Sequence, residues 1–394
     1  MARLSRRARS NHGGCPGGDG GLTSRRRFLA AASSVGAVGL AGCSDMLPGG
    51  GNGNGDEPVG QIGSGRNGRG IPGGTSMQEM PPLEGTITVY SGRSEVLVSE
   101  LVNYIRSLYD DLELRVRYGS ASEMVSQIQT EGDNSEADVF FSVNAGALGV
   151  LAEAGRADPL PDDIADLVRP EFRDDQNRWI GTSGRARTIP FNTNAFSEDE
   201  IPEDIMAFPD DDRFADEMGW APGYSSFQAF VTAMRLLEGE DATRQWLEGM
   251  VDSGVRRFPD EFQVCQAIAD GGISAGFTNH YYIQRVLDQR PDAPLDTAFT
   301  RNDAGAIFNV AGAAVVDSAD DPDMAANFVR HLLSGEAQDY FARTTFEYPL
   351  IPEVDPIGAL PTIDELNPPS DIDLTQLSDL EPTIELMRDA GVDI

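Results

Sequence analysis

Along the first part of the body the spacing of apolar residues changes period several times. Thr86-Ile87-Thr88-Val89-Tyr90 is β-branched and aromatic, the composition of a strand. Ser91-Gly92-Arg93 breaks it, and Val96, Leu97, Leu101, Ile105 and Leu108 then recur at helical spacing. Leu112, Leu114 and Val116 alternate with Glu113, Arg115 and Arg117, which predicts a second strand. Met124, Val125 and Ile128 mark another helix, and Ala137 to Phe141 a third strand. Strands alternating with helices at this spacing predict an α/β fold with a parallel sheet, whose ligands lie beyond the carboxyl ends of the strands. Those ends are Ser91 to Glu95 and Ser142 to Asn144.

Further on, Trp179 to Ser183 and Ala186 to Asn192 read as extended segments around Gly184-Arg185. At 394 residues the chain outgrows a single core, so these segments are candidates for a crossing between two lobes. A second α/β pattern follows, with helices near Ser225 to Leu237, Asp241 to Val251 and Glu261 to Asp270, then an apolar strand from Ile273 to Thr278. Tyr281-Tyr282 stands just after that strand. Ile283, Val286 and Leu287 continue at helical spacing, which puts the tyrosines in a helix's first turn. Ala306 to Val316 is strand-like, Pro322 opens a helix, and a last helix runs from about Asp379 to Ala390.

Charge and the amino end alter this picture. The formal net charge is −34, and all 30 basic residues are arginine. Residues 1–42 hold seven arginines against Asp19 alone, a net +6 that leaves −40 for the rest. Such a body repels nucleic acid, and its self-repulsion is tolerated where salt screens it. The expected setting is therefore very salty. Cys15, Cys43 and Cys265 show no zinc or redox spacing. Arg25-Arg26 precede a short apolar run from Phe28 to Leu40, followed by Leu40-Ala41-Gly42-Cys43. That order predicts a twin-arginine export signal ending in a lipobox, with a lipid on Cys43 at the outer face of the membrane. From Ser44 to Glu84 there are twelve glycines and few large apolar residues, the composition of a flexible tether reaching a few tens of ångströms.

Candidate chemistry narrows to one stretch. Among the motifs of covalent and nucleotide chemistry the chain carries no nucleophile elbow, phosphate loop or dinucleotide fingerprint. Acid pairs carry no information in so acidic a chain, and of three histidines only His280 is close to the tyrosine pair. A phenol is mostly neutral at pH 7, but a hard, highly charged cation displaces its proton and takes the phenolate oxygen. Ferric iron matches that demand, and packing aromatics are the plain alternative.

The body, residues 85–394, resembles the ferric-ion-binding solute receptors of ABC importers, which have the type II periplasmic-binding-protein fold. The resemblance rests on Thr88-Val89-Tyr90-Ser91-Gly92-Arg93, Ala137-Asp138-Val139-Phe140-Phe141 with Leu151-Ala152-Glu153-Ala154-Gly155, and Ser183-Gly184-Arg185-Ala186-Arg187. Asn279-His280-Tyr281-Tyr282, Ala311 to Val316 and Glu347-Tyr348-Pro349-Leu350 complete it. It implies two lobes joined by two crossing strands, one of residues 85–187 plus 310–355 and the other of 188–309 plus 356–394. It also implies a monomer that delivers its solute to a permease and its ATPase. By the same resemblance Tyr281 and Tyr282 supply phenolates to Fe3+, and Tyr224 is the candidate third. A carbonate or phosphate would sit near Tyr224, Ser225 and Ser226, with Ser94, Asn144, Arg185 and Asn279 as further anion- or solute-binding candidates. The chain departs from the family at Ser94, where many members have histidine, at Val143, where some have a carboxylate, and at Phe191, where some have tyrosine. Related receptors take thiamine, phosphonates, polyamines or other small anions, which stays the alternative cargo. A hydrolase and a purely structural surface lipoprotein are readings of other classes.

Overall fold

The computed structural model describes residue 62, residues 73–369 and residues 372–394, which belong to one compact unit, Gly55–Ile394. The expected export signal, Cys43 and the expected tether up to residue 61 lie outside the described residues, as do residues 63–72.

The alternating pattern at the start becomes β1 (Gly85–Ser91), α1 (Glu95–Leu108), β2 (Leu112–Tyr118), α2 (Ala121–Glu131), β3 (Val139–Ser142) and α3 (Ala145–Glu153). Strands β2, β1 and β3 pair in parallel in that order. β4 (Ala157–Asp158) and α4 (Asp162–Ala165) lead to β5 (Ile180–Asn192), a single thirteen-residue strand where two extended segments were expected. Then come β6 (Met218–Trp220), α5 (Ser225–Leu237), α6 (Glu240–Asp252), β7 (Arg256–Arg257), α7 (Glu261–Ala269), β8 (Ala275–Gly276), β9 (Thr278–Asn279), α8 (His280–Gln289) and β10 (Leu295–Ala298). The chain closes with β11 (Phe308–Val316), α9 (Pro322–His331), α10 (Gly335–Tyr340), α11 (Ile363–Leu366) and α12 (Glu381–Asp389).

Among the described residues the strand order is β2-β1-β3-β11-β5-β8-β6-β7. β5 belongs to both halves. Its first part, Ile180 to Ala186, pairs antiparallel with β11, and its second part, Arg187 to Asn192, pairs with β9, β8 and β10. β11 also pairs with β3 and β4, so the chain returns to the first half between β10, which pairs with the second part of β5, and β11. This is the type II periplasmic-binding-protein architecture.

Two further expectations change. The single strand Ile273 to Thr278 is broken at Phe277, whose ring packs among Phe208, Trp246 and Phe230 and whose carbonyl accepts from Arg187. Residues 73–84, read by composition as the end of the tether, instead lie against the body. Met77 is fully buried and Leu83 nearly so. Glu336, buried at the start of α10, accepts the Ser76 hydroxyl at 2.6 Å and the Met77 N–H at 3.0 Å. Tyr109 Oη donates to the Met77 carbonyl at 2.8 Å.

The tail contacts both halves of the molecule. Residues Leu374–Ser378 form a short helical turn on α3 and α5, and α12 packs on α5 and α6.

Candidate functional site

Three of the sequence motifs meet at one buried ion pair. Arg93, which ends the first, donates to Ser183 Oγ at 3.0 Å and pairs with Glu347 at 2.5 Å. Ser183 and Thr345 also donate to that carboxylate, at 3.0 and 2.9 Å. Burial pushes Glu347 up, but the charges of Arg93 and Arg185 outweigh it and hold the carboxyl below its usual range. The β1–α1 turn, β5 and the segment after α10 are thereby tied together.

Beyond this junction a cavity of about 700 Å³ opens. Four helix starts border it. Ser120 and Ser122 come from α2, Asn144 from α3, Ser225 and Ser226 from α5, and Asn279 and Tyr281 from α8. The first amides of a helix have no partner within it and carry its positive end, so these starts favour an anion. Arg185 and Arg187 line the cavity too, and no carboxylate or imidazole does among the described residues. In a chain of net charge −34 this lining is cationic.

The tyrosines stand as expected in the first turn of α8. Adjacent positions on a helix diverge by about 100°, yet the rings of Tyr281 and Tyr282 approach to 4.3 Å between centroids. Arg285, one turn on, lies over both, 5.1 and 5.4 Å from their centroids. Tyr282 Oη donates to Tyr224 Oη at 2.7 Å, joining residues 58 apart in sequence. Asn279 Nδ2 donates to Tyr281 Oη at 3.3 Å. Tyr281 is 9% exposed and Tyr282 5%. Burial raises the Tyr281 pKa above the ordinary phenol value, with Arg185 pulling the other way. Burial likewise raises that of Tyr282, with the charge of Glu261 adding to it. Both phenols hold their protons at neutral pH in the ligand-free protein.

The other predicted residues divide. Tyr224, Ser225, Ser226, Asn144, Arg185, Asn279 and Tyr281 all line the cavity; Tyr282 reaches it through Tyr224. Asn144 caps α3, accepting from the Ala147 N–H at 2.9 Å. Arg185 donates to the Val143 carbonyl across the cavity wall. Ser94 is not brought in: it is an exposed residue ahead of α1 and does not line the cavity. Phe191 is buried in β5. His280 turns to β5, its Nδ1 3.2 Å from the Ala186 N, and burial pushes its pKa down to about 4.

Sequence reasoning passed over two residues here. Arg187 pairs with Glu261 in a fully buried ion pair beside the phenols. Arg187 stood in a quoted motif without a role, and Glu261 carried no signal among 64 acids.

A two-lobed α/β fold with a long shared strand and a polar cavity between helix starts defines a solute-binding receptor. The family described as bacterial extracellular solute-binding protein matches residues 134–377, and the chain belongs to it, a family of transport receptors rather than enzymes. The chain is 28% identical over 317 residues to the major ferric iron-binding protein of Neisseria meningitidis, covering 79% of this chain and 94% of that one. It is 32% identical over 295 residues to iron uptake protein A2 of Synechocystis, covering 70% and 81%. Its fold is similar to that of iron-bound HitA from Pseudomonas aeruginosa, with a TM-score of 0.68, 27% identity, and 78% and 99% coverage.

Proposed function

We propose that this chain is the extracellular receptor of an ABC importer that captures ferric iron on Tyr224, Tyr281 and Tyr282 and passes it to a permease with its ATPase. The observation that carries this reading is the meeting of the three phenols, with the Tyr282 proton lying between two of them at 2.7 Å. A ferric ion that displaces this proton and its neighbours gains three phenolates, which balance its charge. The three oxygens leave other coordination positions, and the cationic lining with its helix starts is suited to an anion such as carbonate or phosphate there. Arg185, Asn144, Ser225, Ser226 and Asn279, which line the cavity, would hold it. Relatives named for ferric iron binding and for iron uptake support the cargo.

Mixing the purified protein with chelated ferric iron tests the assignment. A visible phenolate-to-iron band that weakens in Tyr281→Phe is expected. A colourless mixture without measurable affinity rejects it.

The proposal extends to the amino end. Arg25 and Arg26 direct folded export, and a lipid on Cys43 holds the receptor at the outer face of the cytoplasmic membrane, in a salty setting. Cys43→Ala is expected to release the protein into the medium, and retention at the membrane would remove the anchor.

A further inference from the structure

Glu261 touches each stretch of chain that builds the phenol face. Its side chain is 0% exposed, in the first turn of α7. Oε1 accepts the Ser226 hydroxyl at 2.6 Å, and Oε2 accepts the Asn279 backbone N–H at 2.9 Å. Arg187 on β5 donates one guanidinium nitrogen to Oε1 and the other to the Phe277 carbonyl at 2.7 Å. That guanidinium is itself held over Phe230 and Phe227 of α5, 4.9 and 5.5 Å from their centroids.

We propose that Glu261 is the positioning residue of the phenol site. Its carboxylate pins the start of α5, which follows Tyr224, to the residue that opens α8 ahead of Tyr281 and Tyr282. The inference rests on the phenol face being the ligand site. A buried ion pair is weak evidence for stability, since apolar residues of the same volume often serve as well. This one uses both oxygens on the elements that carry the phenols. Asn279 shows the consequence. It opens α8 without a side-chain cap, because its amide is turned to the Tyr281 hydroxyl while Glu261 holds its backbone. Glu261 also supplies the counter-charge of Arg187, which lines the cavity.

Glu261→Gln tests this, since glutamine keeps the shape but replaces one acceptor oxygen by a donor. In the ligand-free variant, amide hydrogen exchange in peptides covering residues 222–230 and 277–284 is expected to quicken about tenfold or more, with β11 unchanged. Ferric affinity is expected to fall roughly 10- to 100-fold with a displaced phenolate band, and Glu261→Asp to recover part of both. Unchanged exchange in the two peptides of a folded Glu261→Gln overturns the proposal, whether or not the wild type binds iron. An iron-silent wild type whose variant exchanges faster rejects the ferric cargo and supports the positioning role. If Glu261→Gln does not fold, Ser226→Ala decides: faster exchange in both peptides supports the proposal, and an effect confined to α5 overturns it.

Discussion

In the proposed ferric site, burial and metal binding oppose each other at Tyr281 and Tyr282. Both phenols are raised above the ordinary value, so the empty site is protonated, and each phenolate bond to iron releases a proton. Ferric affinity, measured against a competing chelator between roughly pH 6 and 8, is therefore expected to rise with pH, with a slope near three protons per ion. Tyr224→Phe is expected to lower that slope by about one; an unchanged slope removes Tyr224 from the coordination. His331 carries a different proton linkage. Burial pushes its pKa from 6.5 to about 4. The unfolded chain takes up a proton as pH falls below 6.5, and the folded chain does not until about 4. Stability attributable to His331 is thus complete above 6.5 and is lost as pH falls toward 4. Denaturation midpoints across that window are expected to vary less in His331→Gln, with His280, also pushed down to about 4, contributing to the dependence that remains.

Among the elements, the segment at residues 73–84 holds to the body through few groups, so its contribution can be measured. Glu336→Ala leaves the Ser76 hydroxyl and the Met77 N–H without their acceptor, a cost of about 1–3 kcal/mol for buried groups. The melting temperature is expected to fall by several degrees while ferric affinity holds, since Glu336 does not line the cavity. This segment also marks where sequence reading fails. Twelve glycines from Ser44 to Glu84 dominate a composition average, and the average hides Met77 and Leu83, which are buried. Helices with a sustained period, such as α5 and α7, were legible because one face packs throughout. The break between β8 and β9 was not, because Phe277 is apolar like a strand residue and only its long-range aromatic neighbours turn it aside. In the site, adjacent phenols made Tyr281 and Tyr282 visible, and their resemblance to a family brought in Tyr224. Glu261 acts through residues 18 to 74 positions away, and no local pattern encodes such a partner.

For the molecule as a whole, the net charge of −34 and the absence of lysine set the conditions for folding. Many arginine–carboxylate pairs at the surface are well exposed, such as Arg115–Glu113 and Arg301–Glu203, and solvent screening leaves such pairs little net contribution. They do not offset the repulsion among the carboxylates left over. That repulsion acts across a Debye length of about 10 Å in 0.1 M salt and about 3 Å in 1 M. The buried pairs Arg93–Glu347 and Arg187–Glu261 are screened far less, because solvent ions do not reach them. Salt is thus expected to act on the surface and to leave the two internal junctions alone. The melting temperature should rise by roughly 10 °C or more between dilute and molar salt, and Glu261→Gln should show the same rise from its own starting point. A wild-type melting temperature that does not move would mean that the surface charges are neutralised by contacts within the chain, and the salty setting would lose its physical basis.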